Sequence, residues 1–105
     1  MMRRTFARGT IEYVEAVVLT ADDPSAATVQ ISLTPAGGEH VWLAAGWTGP
    51  AEYEASMGAW RRTARTSSPV TLSTANYPAS TYAVHAKVTL GAEAAIVPAW
   101  EMRIT

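Results

Sequence analysis

From Tyr82 to Leu90 the side chains alternate. Tyr82, Val84, Ala86, Val88 and Leu90 fall on one parity, and Ala83, His85, Lys87 and Thr89 on the other. Successive side chains of an extended chain point to opposite faces, so this pattern makes a strand with one apolar side. It must lay that side against another apolar surface, which commits the chain to a β-core. A second run says the same: Val29, Ile31 and Leu33 alternate with Thr28, Gln30 and Ser32. At the C-terminus, Trp100, Met102 and Ile104 alternate with Glu101 and Arg103.

Turn signals separate these runs. Asp22-Asp23-Pro24-Ser25, Pro35-Ala36-Gly37-Gly38, Thr48-Gly49-Pro50, Ser67-Ser68-Pro69 and Ala75-Asn76-Tyr77-Pro78-Ala79-Ser80 each break an extended segment. Between them lie Thr10 to Leu19, β-branched and aromatic-rich with helix as the competing assignment, then His40 to Trp47, with Trp42 as a core residue. Trp60 to Thr66 and a short Val70 to Ser73 follow. Ala51 to Gly58 reads as a single helical turn or a loop, and Gly91 to Ala95 as a link. Pro98 marks a sheet edge or a strand start, because proline gives no N–H to a ladder. About seven short strands with no long amphipathic helix predict an all-β fold. The expected architecture is an immunoglobulin-like two-sheet β-sandwich, with a small β-barrel as the rival, because one pattern serves both. Tyr82 stands where such folds place a corner tyrosine bonded to nearby backbone.

The chain has 105 residues, one domain's worth. Residues 1–8 read as an N-terminal arm, either mobile or ordered against a neighbour, and 9–105 as a single sandwich domain. Met1-Met2-Arg3-Arg4 followed by Val14 to Leu19 resembles a signal peptide only superficially, since Glu12 and Glu15 interrupt the apolar stretch. No run approaches the ~20 apolar residues of a membrane span. There is no cysteine, which excludes disulfides, thiolate metal sites and cysteine nucleophiles. The net charge of −1 gives no global field toward nucleic acid or an anionic membrane. Only 16% of residues are charged, against about 25% in an average domain. A surface covered by a partner has that character; many Ala and Thr residues, which dilute charge, give it too.

Catalytic motifs are not found. His40 and His85 sit in separate strands without local ligand spacing, and a two-histidine metal site needs further ligands. Both read as surface or interface histidines; a polar pocket where they meet acidic groups would overturn the picture of two packed sheets with an uncharged contact surface. Asp22 and Asp23 read as turn formers. Glu52 and Glu54 do not converge as a paired-carboxylate catalyst. Ser56, Ser67, Ser68, Ser73 and Ser80 have no nucleophile-elbow surroundings. No base, nucleophile and oxyanion donor come together, so no enzyme, metal or cofactor is expected.

Two features stand above this background. Trp60-Arg61-Arg62-Thr63-Ala64-Arg65 sets a tryptophan beside three arginines, able to stack and to pair with anionic groups. In a strand Arg61 and Arg65 share a face and Arg62 points away. A solvated face balancing Glu52 and Glu54 gives the same pattern. The other feature is four tryptophans in 105 residues. One or two fill a core, and the rest suit protein contacts or sugar platforms. Trp47, before Thr48-Gly49-Pro50, is the candidate for a loop-borne one.

Thr81-Tyr82-Ala83-Val84-His85-Ala86-Lys87-Val88-Thr89 and then Ala94-Ala95-Ile96-Val97-Pro98-Ala99 resemble a pattern in small immunoglobulin-like virion proteins of phages infecting actinobacteria. Val41-Trp42-Leu43-Ala44-Ala45-Gly46-Trp47 is similar to their central tryptophan strand. His85 stands where those proteins often carry Trp. The resemblance implies a structural role in the virion: head decoration, head-to-tail connector or tail component. It implies partners among capsid or tail subunits, many copies in one assembly, and no catalytic residues to transfer. Partner-binding candidates are Arg3, Arg4, Phe6, Arg8, Trp47, Trp60, Arg61 and Arg65. A carbohydrate-binding module using exposed tryptophans is the alternative.

Overall fold

The computed structural model describes residues 3–35, 37–72 and 76–105. Met1, Met2, Ala36 and Ser73 to Ala75 lie outside them, and with them parts of the expected arm, of two turns and of the Val70 to Ser73 strand. Ten strands follow one another among the described residues. They are β1 (Arg3–Phe6), β2 (Ile11–Glu12), β3 (Glu15–Thr20), β4 (Thr28–Pro35), β5 (Trp42–Trp47), β6 (Glu52–Glu54), β7 (Ala59–Thr66), β8 (Val70–Thr71), β9 (Ser80–Leu90) and β10 (Glu93–Ile104). A 3₁₀ turn at Pro24–Ala26 is the only helical element among the described residues, capped by the Asp23 side chain.

The protein is all-β. Its main sheet has eight strands in the order β1-β10-β9-β4-β5-β7-β3, with β6 added to β7; β2 and β8 form a separate pair. All pairings are antiparallel except β1 with β10. The expected two sheets are here one, because β5 serves both layers. Trp42, Leu43 and Ala44 pair with β4, whereas Ala45, Gly46 and Trp47 pair with β7. A strand that changes partner along its length turns a corner. The sheet therefore curls into a half-barrel, and β3 comes to lie across β9 and β10.

Alternation fills the concave side. Val14, Ala16 and Val18 meet Val29, Ile31 and Leu33 of β4, Tyr82, Val84 and Ala86 of β9, and Trp100, Met102 and Ile104 of β10, all buried. Each fully buried aliphatic side chain contributes about 1.5–3 kcal/mol. The Tyr82 hydroxyl donates to the Pro78 carbonyl at 2.7 Å, the corner contact its position predicted.

Several local expectations are corrected. Residues 3–6 of the arm run as a strand against the end of β10. The Thr10 to Leu19 run divides into β2 and β3, which belong to different sheets. Ala51 to Gly58 holds a strand and a turn in place of a helical turn; Gly58, at φ +61°, supplies the left-handed residue where the chain reverses. The link after β9 is a two-residue hairpin, Gly91-Ala92, so β10 already starts at Glu93. Gly91 holds φ +61° at the first central position, where a tight hairpin favours glycine. Pro98 lies in the stretch of β10 that β1 does not cover, next to a bulge at Ala99, so it marks an edge. Trp42 is not in the core. Leu43 takes the inward place, which sends Trp42 to the convex face.

Candidate interaction surface

The predicted residues divide among three places. At the β1 end, Arg3 lies 3.5 Å from Glu101 on the convex side. Phe6 is half-buried against the core, 6.4 Å from the Trp100 ring. The Arg4 guanidinium covers both rings, at 5.2 Å and 5.6 Å from their centroids. Arg8 Nε donates to the Thr105 carbonyl. Trp47 is not a loop residue: it ends β5, packs on the core, donates from its indole to the Ala27 carbonyl, and carries Arg62 over its ring at 4.8 Å.

The third place is β7. Arg61 and Arg65 share its exposed face, and Arg62 turns away to the carbonyls of Gly49, Pro24 and Ser25. Trp60 is half-buried, edge-on to Tyr53 at 5.4 Å. Arg61 reaches Glu54 at 3.5 Å, and Arg65 stacks over Tyr13 at 4.5 Å. Since β1 begins the sheet and β7 is next to its far end, the eight candidates do not form one site.

Two groupings escaped the sequence reading. The first is β3. Its register with β7 sets Glu15 opposite Arg65, Val17 opposite Thr63 and Leu19 opposite Arg61. Val17 and Leu19 stay 47% and 39% exposed on a strand that closes the sheet order, and Tyr13, two residues before the strand, is 47% exposed. The signal was in Glu15-Ala16-Val17-Val18-Leu19: apolar residues on both parities, where a half-buried strand needs them on one.

The second grouping is on the convex face. Ser32 is opposite both His85 and Trp42. Although it points outward it is fully buried, because His40 folds over it. His40 Nδ1 lies 2.9 Å from Thr34 Oγ1 and 3.1 Å from Ser32 Oγ, and the two hydroxyls bond each other. The His40 ring stacks on Trp42 at 5.0 Å and meets His85 edge-on at 4.8 Å, with Lys87 Nζ 5.6 Å from the Trp42 ring. Burial, then the neighbouring His40, hold His85 below the ordinary imidazole range.

The histidines therefore do meet, beside a shallow pocket that Glu101 and Arg3 also line. Glu101 is the one carboxylate there, and it pairs with Arg3. Among the described residues no three His, Asp or Glu side chains converge as a metal site. Ser32, beside a histidine, is wholly buried and out of a substrate's reach.

No family model matches the chain, and no curated protein or solved structure is detectably similar to it. Function must be argued from the surface itself. That surface offers an open strand edge beside an apolar row, and a histidine-tryptophan cluster packed against its own sheet. Open edges and apolar rows of the first kind are features that contacts between polypeptides use in general.

Proposed function

We propose that this chain is a non-enzymatic structural protein of a bacteriophage particle, acting through protein–protein contacts as a head decoration, connector piece or tail component. The observation that carries it is β3: an edge strand without proline, lysine or bulge, whose exposed side bears Val17 and Leu19, with Tyr13 exposed just ahead of it. Free soluble domains blunt such edges; assembly proteins use them. The resemblance of the 81–99 region to immunoglobulin-like virion proteins supports the particle setting. On this reading the curled sheet is a relative of that sandwich in which β5 bridges the two layers.

The role needs no cofactor, nucleic acid or membrane. Many copies turn modest contacts into firm attachment. Sugar binding is the weaker reading, since no tryptophan among the four is fully exposed: Trp100 is buried, and Trp42, Trp47 and Trp60 each lie half-buried against a ring or a guanidinium.

The test is quantitative mass spectrometry of gradient-purified particles from the phage whose genome encodes the chain. The expected result is a fixed copy number relative to the major capsid subunit. Absence from the particle overturns the proposal.

A further inference from the structure

Resting on that reading, the geometry points to the kind of partner that the open edge takes. We infer that a single extended segment of another polypeptide, apolar at alternate positions and cationic at one end, adds to β3 and lies in the groove between β3 and β10.

The backbone of β3 has one free side. The Val14 carbonyl accepts from Thr66 N–H, so even-numbered residues direct their N–H and C=O toward β7. Odd-numbered residues then direct theirs the other way. Trp100 Nε1 confirms the direction by donating to the Glu15 carbonyl at 2.7 Å. Beyond that contact no strand pairs with Val17 or Leu19 on this side among the described residues. These are unpaired, correctly spaced groups for a strand to bond.

Across from them the edge of β10 is also open, since β1 covers only Glu101 to Ile104. The two edges touch at Trp100 and Glu15 and part toward the opposite end. There a groove of about 360 Å³ opens, with Leu19, Val88, Leu90, Ala94 and Val97 in its lining. Small apolar side chains of an added strand fit such walls.

Charge decides the end of the segment that reaches the open part of the groove. Asp22, Asp23 and Glu93 line the groove, and no Lys or Arg does. Arg62, which reaches the same turn, donates to backbone carbonyls. An acidic incoming segment meets like charge, and a cationic one gains ion pairs. The β10 edge is partly closed to pairing by Pro98 and the bulge at Ala99, so the segment's hydrogen bonds come from β3.

The test uses the full chain and a display library of random ten-residue peptides. Enriched peptides are expected to alternate β-branched residues and to carry Lys or Arg at one end. Their binding should slow amide exchange at Val17 and Leu19. Val17→Pro removes only an outward N–H, so circular dichroism should be unchanged while peptide affinity falls about tenfold. Asp22→Lys with Glu93→Lys should weaken binding severalfold and flatten its salt dependence.

Failure to enrich any peptide overturns the inference. So does binding indifferent to Val17→Pro, or enrichment of acidic peptides. Concentration-dependent dimerisation of the chain that Val17→Pro abolishes names a second copy as occupant and also overturns it. The two proposals fail separately. Peptide binding by a chain absent from particles sinks only the virion role. Full incorporation of the Val17→Pro chain into particles sinks only strand addition.

Discussion

At one end of the sheet β1 is fastened from the side. Arg3 pairs with Glu101, Thr105 N–H donates to the Phe6 carbonyl, Arg8 reaches the Thr105 carbonyl, and Phe6 rests against Trp100 under the Arg4 guanidinium. At the other end β3 is fastened from beneath. Val14 just before it, and Ala16 and Val18 within it, are sunk in the core; apart from the Glu15 carbonyl, which Trp100 holds, its outer edge pairs with no strand among the described residues, and Val17 and Leu19 are exposed. The first end is rimmed with arginines, which discourage further pairing; the second has neither charge at its centre nor a bulge. The proposed contact rests on this difference between a defended edge and an open one.

Trp100 joins these ends, packing beside Phe6 and donating to Glu15 on β3. Trp100→Ala is therefore the change with the largest effect. The expected loss is about 3–5 kcal/mol, from cavity formation around a buried aromatic. Urea denaturation measures it, and amide exchange should rise in β1 and β3 together. Loosening of β1 alone breaks the picture of one tryptophan tying both ends.

Thr66→Val tests β3 without touching β1. Thr66 is buried, and its hydroxyl accepts the Val14 N–H at 3.1 Å. Valine keeps the shape and leaves that N–H unbonded, at a cost of about 1–3 kcal/mol. Exchange should accelerate in β3 and β7 and stay unchanged in β1 and the end of β10. A uniform change across the sheet would show that the two ends are not separately held.

The histidine cluster adds a pH dependence midway between the ends. His85 titrates below its unfolded value because burial and His40 disfavour its charged form. The unfolded chain thus takes up the proton first as pH falls. Stability is full above the ordinary imidazole value of about 6.5, declines as pH drops through it, and levels below the folded value. His85→Gln should remove that part of the acid slope. An unchanged slope would assign it to the carboxylates instead.

Much of this was legible. Tyr82 to Leu90 and Val29 to Leu33 alternate, and both are strands with the expected faces buried, except at Leu90, which is exposed at the strand's end. Arg61 and Arg65 share a face as spacing required. What was not legible depends on strands distant in the chain. Trp42 and Leu43 are both apolar, and only the pairing of β5 with β4 decides which turns inward. His40 and His85 are 45 positions apart, and β4 carries Ser32 between them. The missed β3 surface was different: Val17 and Leu19 were visible as apolar residues, but the sequence does not say that β3 ends the sheet.

The smallest effect belongs to the arginines named first from the sequence. Arg61 lies 3.5 Å from Glu54, with half of its side chain in solvent, as Arg3 does beside Glu101. Exposed pairs of this length gain little Coulomb energy in water and lose side-chain freedom. Arg61→Ala and Arg3→Ala should each change stability by less than about 0.5 kcal/mol. Their value would lie in contact. If Arg61→Ala weakens incorporation into particles while Arg3→Ala does not, the working surface lies on the β3–β7 side of the sheet. The reverse result moves the partner to the β1 end, and the undefended edge of β3 then needs another explanation.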